Sequence, residues 1–319
     1  MKTSTKVYYQ EIDSLKGIAI FFVVLAHSII LYPINLLENE YCNSIFRFIS
    51  STHMPLFFIV SGFCFAYGAN YKDYILKKLY RLLIPYIVFN LADMLPRQLL
   101  PALINRPASM TDSLKEMLFY GGEYWFLYTL FLIFLIYPAI YLWQKNSTLK
   151  KLLVEMILLV IYLWEPELSF LCLNYVLVYL LFFNTGVLIR EASPHIFEWT
   201  FKKPWMQSVT IALLLIVWGL SSNYPATIKL ATVAGIVTCY LFTKFPWFNK
   251  TFRRFGEYSL QLYLLNGFLL VISRTFICKI TSAPAIIICF NMLITFFLSY
   301  IFIKYFCQRF KWIRSLMGM

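Results

Sequence analysis

Most of this chain consists of apolar runs about as long as a bilayer is thick, separated by short polar connectors. A helix needs about 20 apolar residues to cross the hydrocarbon core. The pattern predicts ten such spans, at roughly 15–33, 48–69, 79–100, 123–143, 150–164, 168–189, 205–220, 226–243, 257–277 and 283–305, of which the fifth and seventh are short. No connector is long enough to hold a soluble domain. Residues 1–319 therefore read as one polytopic domain of an all-α integral membrane protein with about ten transmembrane helices. No repeat is visible in the sequence.

Charge supports the count. With the N-terminus placed in the cytoplasm, 20 of the 28 Lys and Arg residues fall on that side and seven on the other, with Lys16 inside the first helix. This is the asymmetry of the positive-inside rule, and it predicts both termini in the cytoplasm. Losing one short span would spoil it for every later loop. The net charge of +13 is then a topology signal plus attraction to anionic lipid. Its spread over six loops excludes a nucleic-acid-binding patch. Charged residues make up 13% and hydrophobic ones 61%, with a mean hydropathy of +0.70, which excludes an ordinary soluble domain. The first apolar run is too long for a cleavable signal peptide and no small-residue cleavage site follows it. The seven cysteines show no metal spacing. Five fall in or beside spans, while Cys42 and Cys278 are expected on the outer side, where pairing is open.

Against this apolar background a few polar side chains stand out. An ionisable residue at membrane depth costs roughly 2.5–3.5 kcal/mol when charged, so its default reading is functional. His27 lies deep in the first span and His53 opens the second. The helices run in opposite directions, so both histidines belong to the outer half and are able to share a cavity. His53 also reads as an interfacial helix start before Pro55. Lys16 is either a positive-inside flank, paired i, i+3 with Asp13, or part of a site. Lys77, Lys78 and Arg81 enter the third helix ahead of Pro85. They mark topology, and Arg forks also suit phosphate. Asp93 and Arg97, spaced i, i+4, read as a local ion pair at the interface or as part of a polar acceptor site. The run Gly121-Gly122-Glu123-Tyr124-Trp125-Phe126-Leu127 opens the fourth span with a possible acid at Glu123. Asn174, Asn184, Glu257, Gln261 and Asn266 are further polar points, and Asn266 is expected to face protein or a cavity. His195 reads as a surface residue.

The segment Glu11–Ser28, in which Lys16 precedes His27 across ten residues, resembles the opening of the membrane-bound acyltransferase-3 family, where the basic residue is usually Arg. The run from His53 to Gly62 looks like that family's second-helix signature. Arg81-Leu82-Leu83-Ile84-Pro85, Trp125-Phe126-Leu127, Phe182-Phe183-Asn184-Thr185-Gly186 and Gly256-Glu257-Tyr258-Ser259-Leu260 are similar to further family elements, in order along the chain. The resemblance implies a ten-helix O-acetyltransferase without an extra soluble domain. It would use cytoplasmic acetyl-CoA as donor, a surface or lipid-linked saccharide hydroxyl as acceptor, no metal, and a bacterial inner membrane. Asn266 stands where many relatives carry His, which weakens a proton-transfer role there.

The residue reading converges on the same chemistry. Acetyl transfer to a hydroxyl needs a base near neutral pH, which imidazole supplies. His27 is expected to deprotonate the acceptor or to take the acetyl group itself. Lys16, Lys78 and Arg81 are expected to hold the CoA phosphates, and His53, Trp125, Glu123 and Asn266 to shape the acceptor site or stabilise an oxyanion. Two rivals use the same residues. One is a transporter or flippase of a saccharide or small acid, with the polar side chains as its pathway. The other is a haem protein ligated by His27 and His53.

Overall fold

A computed structural model describes residues 8–30, 34–68, 70–99, 109–193, 196, 201 and 203–319. His195 lies outside the described residues, as does the side chain of Arg97. The described chain is helical, with no strand. Its helices are α1 (Gln10–Ile30), α2 (Glu40–Ser50), α3 (His53–Phe63), α4 (Tyr71–Lys78), α5 (Ile84–Leu99), α6 (Met110–Tyr120), α7 (Trp125–Gln144), α8 (Thr148–Trp164), α9 (Leu173–Glu191), α10 (Pro204–Ser222), α11 (Ile228–Phe242), α12 (Pro246–Glu257), α13 (Ser259–Ile277), α14 (Pro284–Phe302) and α15 (Lys311–Leu316). Eight helical stretches among them are long and apolar enough to cross a membrane. The protein is an all-α polytopic membrane protein.

Two expected spans are helical but fall short of that length. The fifth is the 17-residue α8. The third is the 16-residue α5, which continues from α4 through a π turn at Leu79–Leu83. Pro85 explains the wide turn: it has no N–H, so the carbonyl of Arg81 loses its i+4 partner. The seventh span, expected to be short, is the 19-residue α10.

The second expected span is not one straight helix. The chain bends at Ser51–Thr52 between α2 and α3, and α3 ends at Phe63. Proline is again the cause. Pro55 has no N–H to offer the carbonyl of Ser51, and the Thr232 hydroxyl takes that carbonyl at 2.9 Å. Trp218 clamps the same elbow. Its indole N–H donates to the Phe48 carbonyl at 2.8 Å and to Ser51 Oγ at 3.0 Å, and its ring stacks on Phe48 at 3.8 Å.

Helices α1 and α3 form the centre. They pack against each other, and each also crosses a second helix at backbone contact: α1 on α12, and α3 on α9. Glycine is required at both crossings. A β-carbon on Gly17 would lie 1.9 Å from the Phe252 carbonyl oxygen, and one on Gly256 would lie 1.7 Å from that of Asp13. The α3–α9 crossing repeats the device, with Gly62 set against Phe183 at 1.9 Å and Gly186 against Ile59 at 2.0 Å. Small residues are how membrane helices approach this closely.

Candidate active site

Helix α1 is unbroken, so Lys16 and His27 are related by regular helix geometry. Eleven residues at about 100° each come to three turns plus about 20°, with a rise of roughly 16 Å. The two side chains share one stripe of α1, at opposite ends. At the first end the Asp13 carboxylate holds both Lys16 Nζ (2.9 Å) and the Tyr8 hydroxyl (2.5 Å). That hydrogen bond to Asp13, aided by burial, pushes the Tyr8 phenol up to about 12.

At the other end a cavity of about 150 Å³ opens between α1, the α2–α3 elbow, the start of α7, and α13. His27, His53, Glu123 and Trp125 all line it, joined by Phe46, Ser50, Met54 and Tyr263. Asn266 stands directly behind His27: its side-chain N–H donates to His27 Nδ1 at 2.7 Å. Five residues picked from the sequence thus meet at one point. The structure makes Asn266 a partner of His27 rather than a wall of the cavity.

Local folding explains each placement. The elbow turns His53 so that its Nδ1–H donates to the Ile49 carbonyl at 3.0 Å. Glu123 and Trp125 are delivered by the turn at Gly121–Gly122, where φ is +83° and +54°, a conformation that favours glycine. Asn90 fastens this turn: its Oδ1 accepts from the Glu123 N–H at 3.2 Å while its Nδ2 donates to the Tyr86 carbonyl at 2.9 Å. The Tyr124 hydroxyl donates to the Leu264 carbonyl at 3.1 Å, two residues before Asn266, and so ties the turn to α13. Trp125 packs against Tyr175 and Tyr179, with ring centroids 4.4 and 5.9 Å away.

The basic residues are distributed differently. Lys78 and Arg81 are neighbours around the π turn, whereas Lys16 is engaged by Asp13, and none of the three lines the cavity. Lys78 lies over the Phe134 ring, 3.7 Å from its centroid. Burial there, with the Arg81 charge, pushes its ammonium down to about 8. Cys42 and Cys278 are free thiols.

Sequence reasoning missed Ser50, Phe46, Tyr263 and Asn90. Ser50 Oγ is buried without a hydrogen-bond partner, as is Asn266 Oδ1. Only Asn90, a buried amide in an apolar run, carried a readable signal. Asn184 belongs elsewhere. Its Nδ2 donates to Glu155 on α8 at 2.5 Å, and its Oδ1 accepts from Tyr137 and Gln144 at 2.7 Å each.

Fold and site together define a polytopic membrane protein with acid–base side chains gathered between its helices. A family model described as Acyltransferase domain, the acyltransferase-3 family, matches residues 9–304. The chain belongs to this family and is a membrane acyltransferase. No curated protein and no solved structure matches it.

Proposed function

We propose that this acyltransferase moves an acetyl group from cytoplasmic acetyl-CoA to a saccharide hydroxyl on the outer side of a bacterial inner membrane. The observation that carries the reading is the meeting of His27, His53, Glu123 and Trp125 in one small cavity. Ligand pockets usually hold about 300–1,000 Å³, and this one holds about 150 Å³. It has room for the reacting ends, an acetyl carbonyl and one hydroxyl, and not for a nucleotide or an oligosaccharide. Both substrates then extend from it in opposite directions. The Lys16 stripe leads to the end where basic residues are expected to meet the CoA phosphates, Lys78 and Arg81 among them. Trp125 offers an aromatic face to a sugar ring.

In the reaction the hydroxyl oxygen bonds to the thioester carbonyl carbon, the C–S bond breaks, and the hydroxyl proton ends on the departing sulfur. His27 acts on the reacting atoms, with Asn266 fixing its ring. The test is transfer of labelled acetyl from acetyl-CoA to membrane carbohydrate by the purified, reconstituted protein. We expect transfer by wild type and loss of at least 100-fold in His27→Ala. Equal transfer by a correctly inserted His27→Ala protein would overturn the proposal.

A further inference from the structure

We propose that His53 is the base that takes the acceptor's hydroxyl proton, and that His27 serves as the hydrogen-bond donor to the thioester carbonyl. The inference rests on the acetyl-transfer reading and assigns its two imidazoles different tasks.

The argument is one of tautomers. A backbone carbonyl only accepts, so the 3.0 Å contact to Ile49 requires a proton on His53 Nδ1. Neutral His53 then has its lone pair on Nε2, which makes no hydrogen bond among the described residues. A side-chain amide nitrogen only donates. The 2.7 Å contact from Asn266 Nδ2 therefore occupies the lone pair of His27 Nδ1, and neutral His27 carries its proton on Nε2. Two imidazoles on one cavity thus present opposite faces, one basic and one donating.

That pairing suits the reaction. His53 Nε2 takes the hydroxyl proton as the oxygen attacks the carbonyl carbon. His27 Nε2–H bonds to the carbonyl oxygen as negative charge grows on it. The C–S bond then breaks, and the proton on His53 passes to the thiolate. Both rings return to their starting state. The other titratable groups on the cavity are Glu123, from the turn before α7, and Tyr263, from α13.

The chain has three histidines, so ¹⁵N-histidine labelling of the full-length protein reads the tautomers directly, with His27 and His53 variants giving the assignments. We expect the neutral forms to be protonated at Nδ1 in His53 and at Nε2 in His27. Activity is read as labelled acetyl passing from acetyl-CoA to membrane carbohydrate. His53→Asn keeps a donor for the Ile49 carbonyl but has no base at the Nε2 position. It should lower kcat about 100-fold or more, flatten the acid limb of the pH profile, and leave acetyl-CoA binding unchanged. The carboxylate of Asn266→Asp accepts a hydrogen bond from Nδ1–H, so neutral His27 then has its lone pair on Nε2 and no donor there. It should also lower kcat. Reversed tautomers, a His53→Asn protein within threefold of wild type, or full activity in Asn266→Asp would each overturn the assignment. A wild-type protein that transfers no label sinks the acetyl-transfer reading instead.

Discussion

Replacing Gly62 by alanine puts a methyl group 1.9 Å from the Phe183 carbonyl oxygen, where ordinary contact begins near 3.4 Å. Helices α3 and α9 must move apart by about 1.5 Å locally, because both obstructing atoms are backbone. A radial gap of 0.5–1 Å already forfeits about a quarter to a half of a dispersion well, so most of the contact beside the crossing is lost. Overpacking of this kind costs about 1–3 kcal/mol, and the long, close α3–α9 contact puts Gly62→Ala at the upper end. Gly186→Ala should cost a similar amount, since its methyl meets the Ile59 carbonyl oxygen at 2.0 Å. The decisive quantity is the double variant. Once the helices have parted for one methyl, the second enters the same gap, so the two costs should fall short of adding by at least about 1 kcal/mol. Thermal or denaturant unfolding of the four proteins in one detergent measures this. Additive losses, or a Gly62→Ala protein as stable as wild type, would refute the reasoning.

Two further expectations concern other parts of the molecule. Lys78 is charged below about pH 8 and loses its charge as pH rises through that value; the proposed help in binding an anionic donor should therefore be present at pH 7 and gone by pH 9.5. Calorimetric acetyl-CoA affinity should fall over that window in wild type and vary less in Lys78→Ala, and equal slopes would exclude the role. Glu155→Ala strips the acceptor from Asn184 Nδ2 and from the Thr185 hydroxyl, each 2.5 Å from the carboxylate. It should lower stability by about 2–4 kcal/mol without changing acetyl-CoA affinity, as checked by unfolding and titration of the same sample.

Much of the site was legible because its residues break a strong rule. His27, His53, Glu123 and Asn266 are polar side chains in or beside apolar runs, and the membrane leaves few other reasons for them. The shared stripe of Lys16 and His27 was legible because a regular helix turns eleven residues into little more than three full turns. Other motifs were visible but carried a different meaning. Gly62, Gly186 and Gly256 proved to encode backbone crossings, and Asn184 a hydrogen-bond network with α8. The elbow at Ser51–Thr52 was hidden. Pro55 announces a lost hydrogen bond, but a proline in the first turn is ordinary, and the groups that settle the bend, Trp218 and Thr232, lie more than 160 residues away in the chain. The seat of Lys78 over the Phe134 ring was beyond the sequence as well, because charge along a chain fixes a side of the membrane and not a neighbour.

The two glycine crossings also say how this enzyme can change. One locks the helix that carries His27 to α12, and the other locks the helix that carries His53 to α9. The two imidazoles therefore sit on helices anchored to different partners, and Val23, Ala26 and Met54 line the cavity that both reach. Substituting these apolar residues should widen or narrow that cavity while both glycine crossings stay as they are. We expect such substitutions to alter which acyl group or acceptor fits, with His27 and His53 left in place.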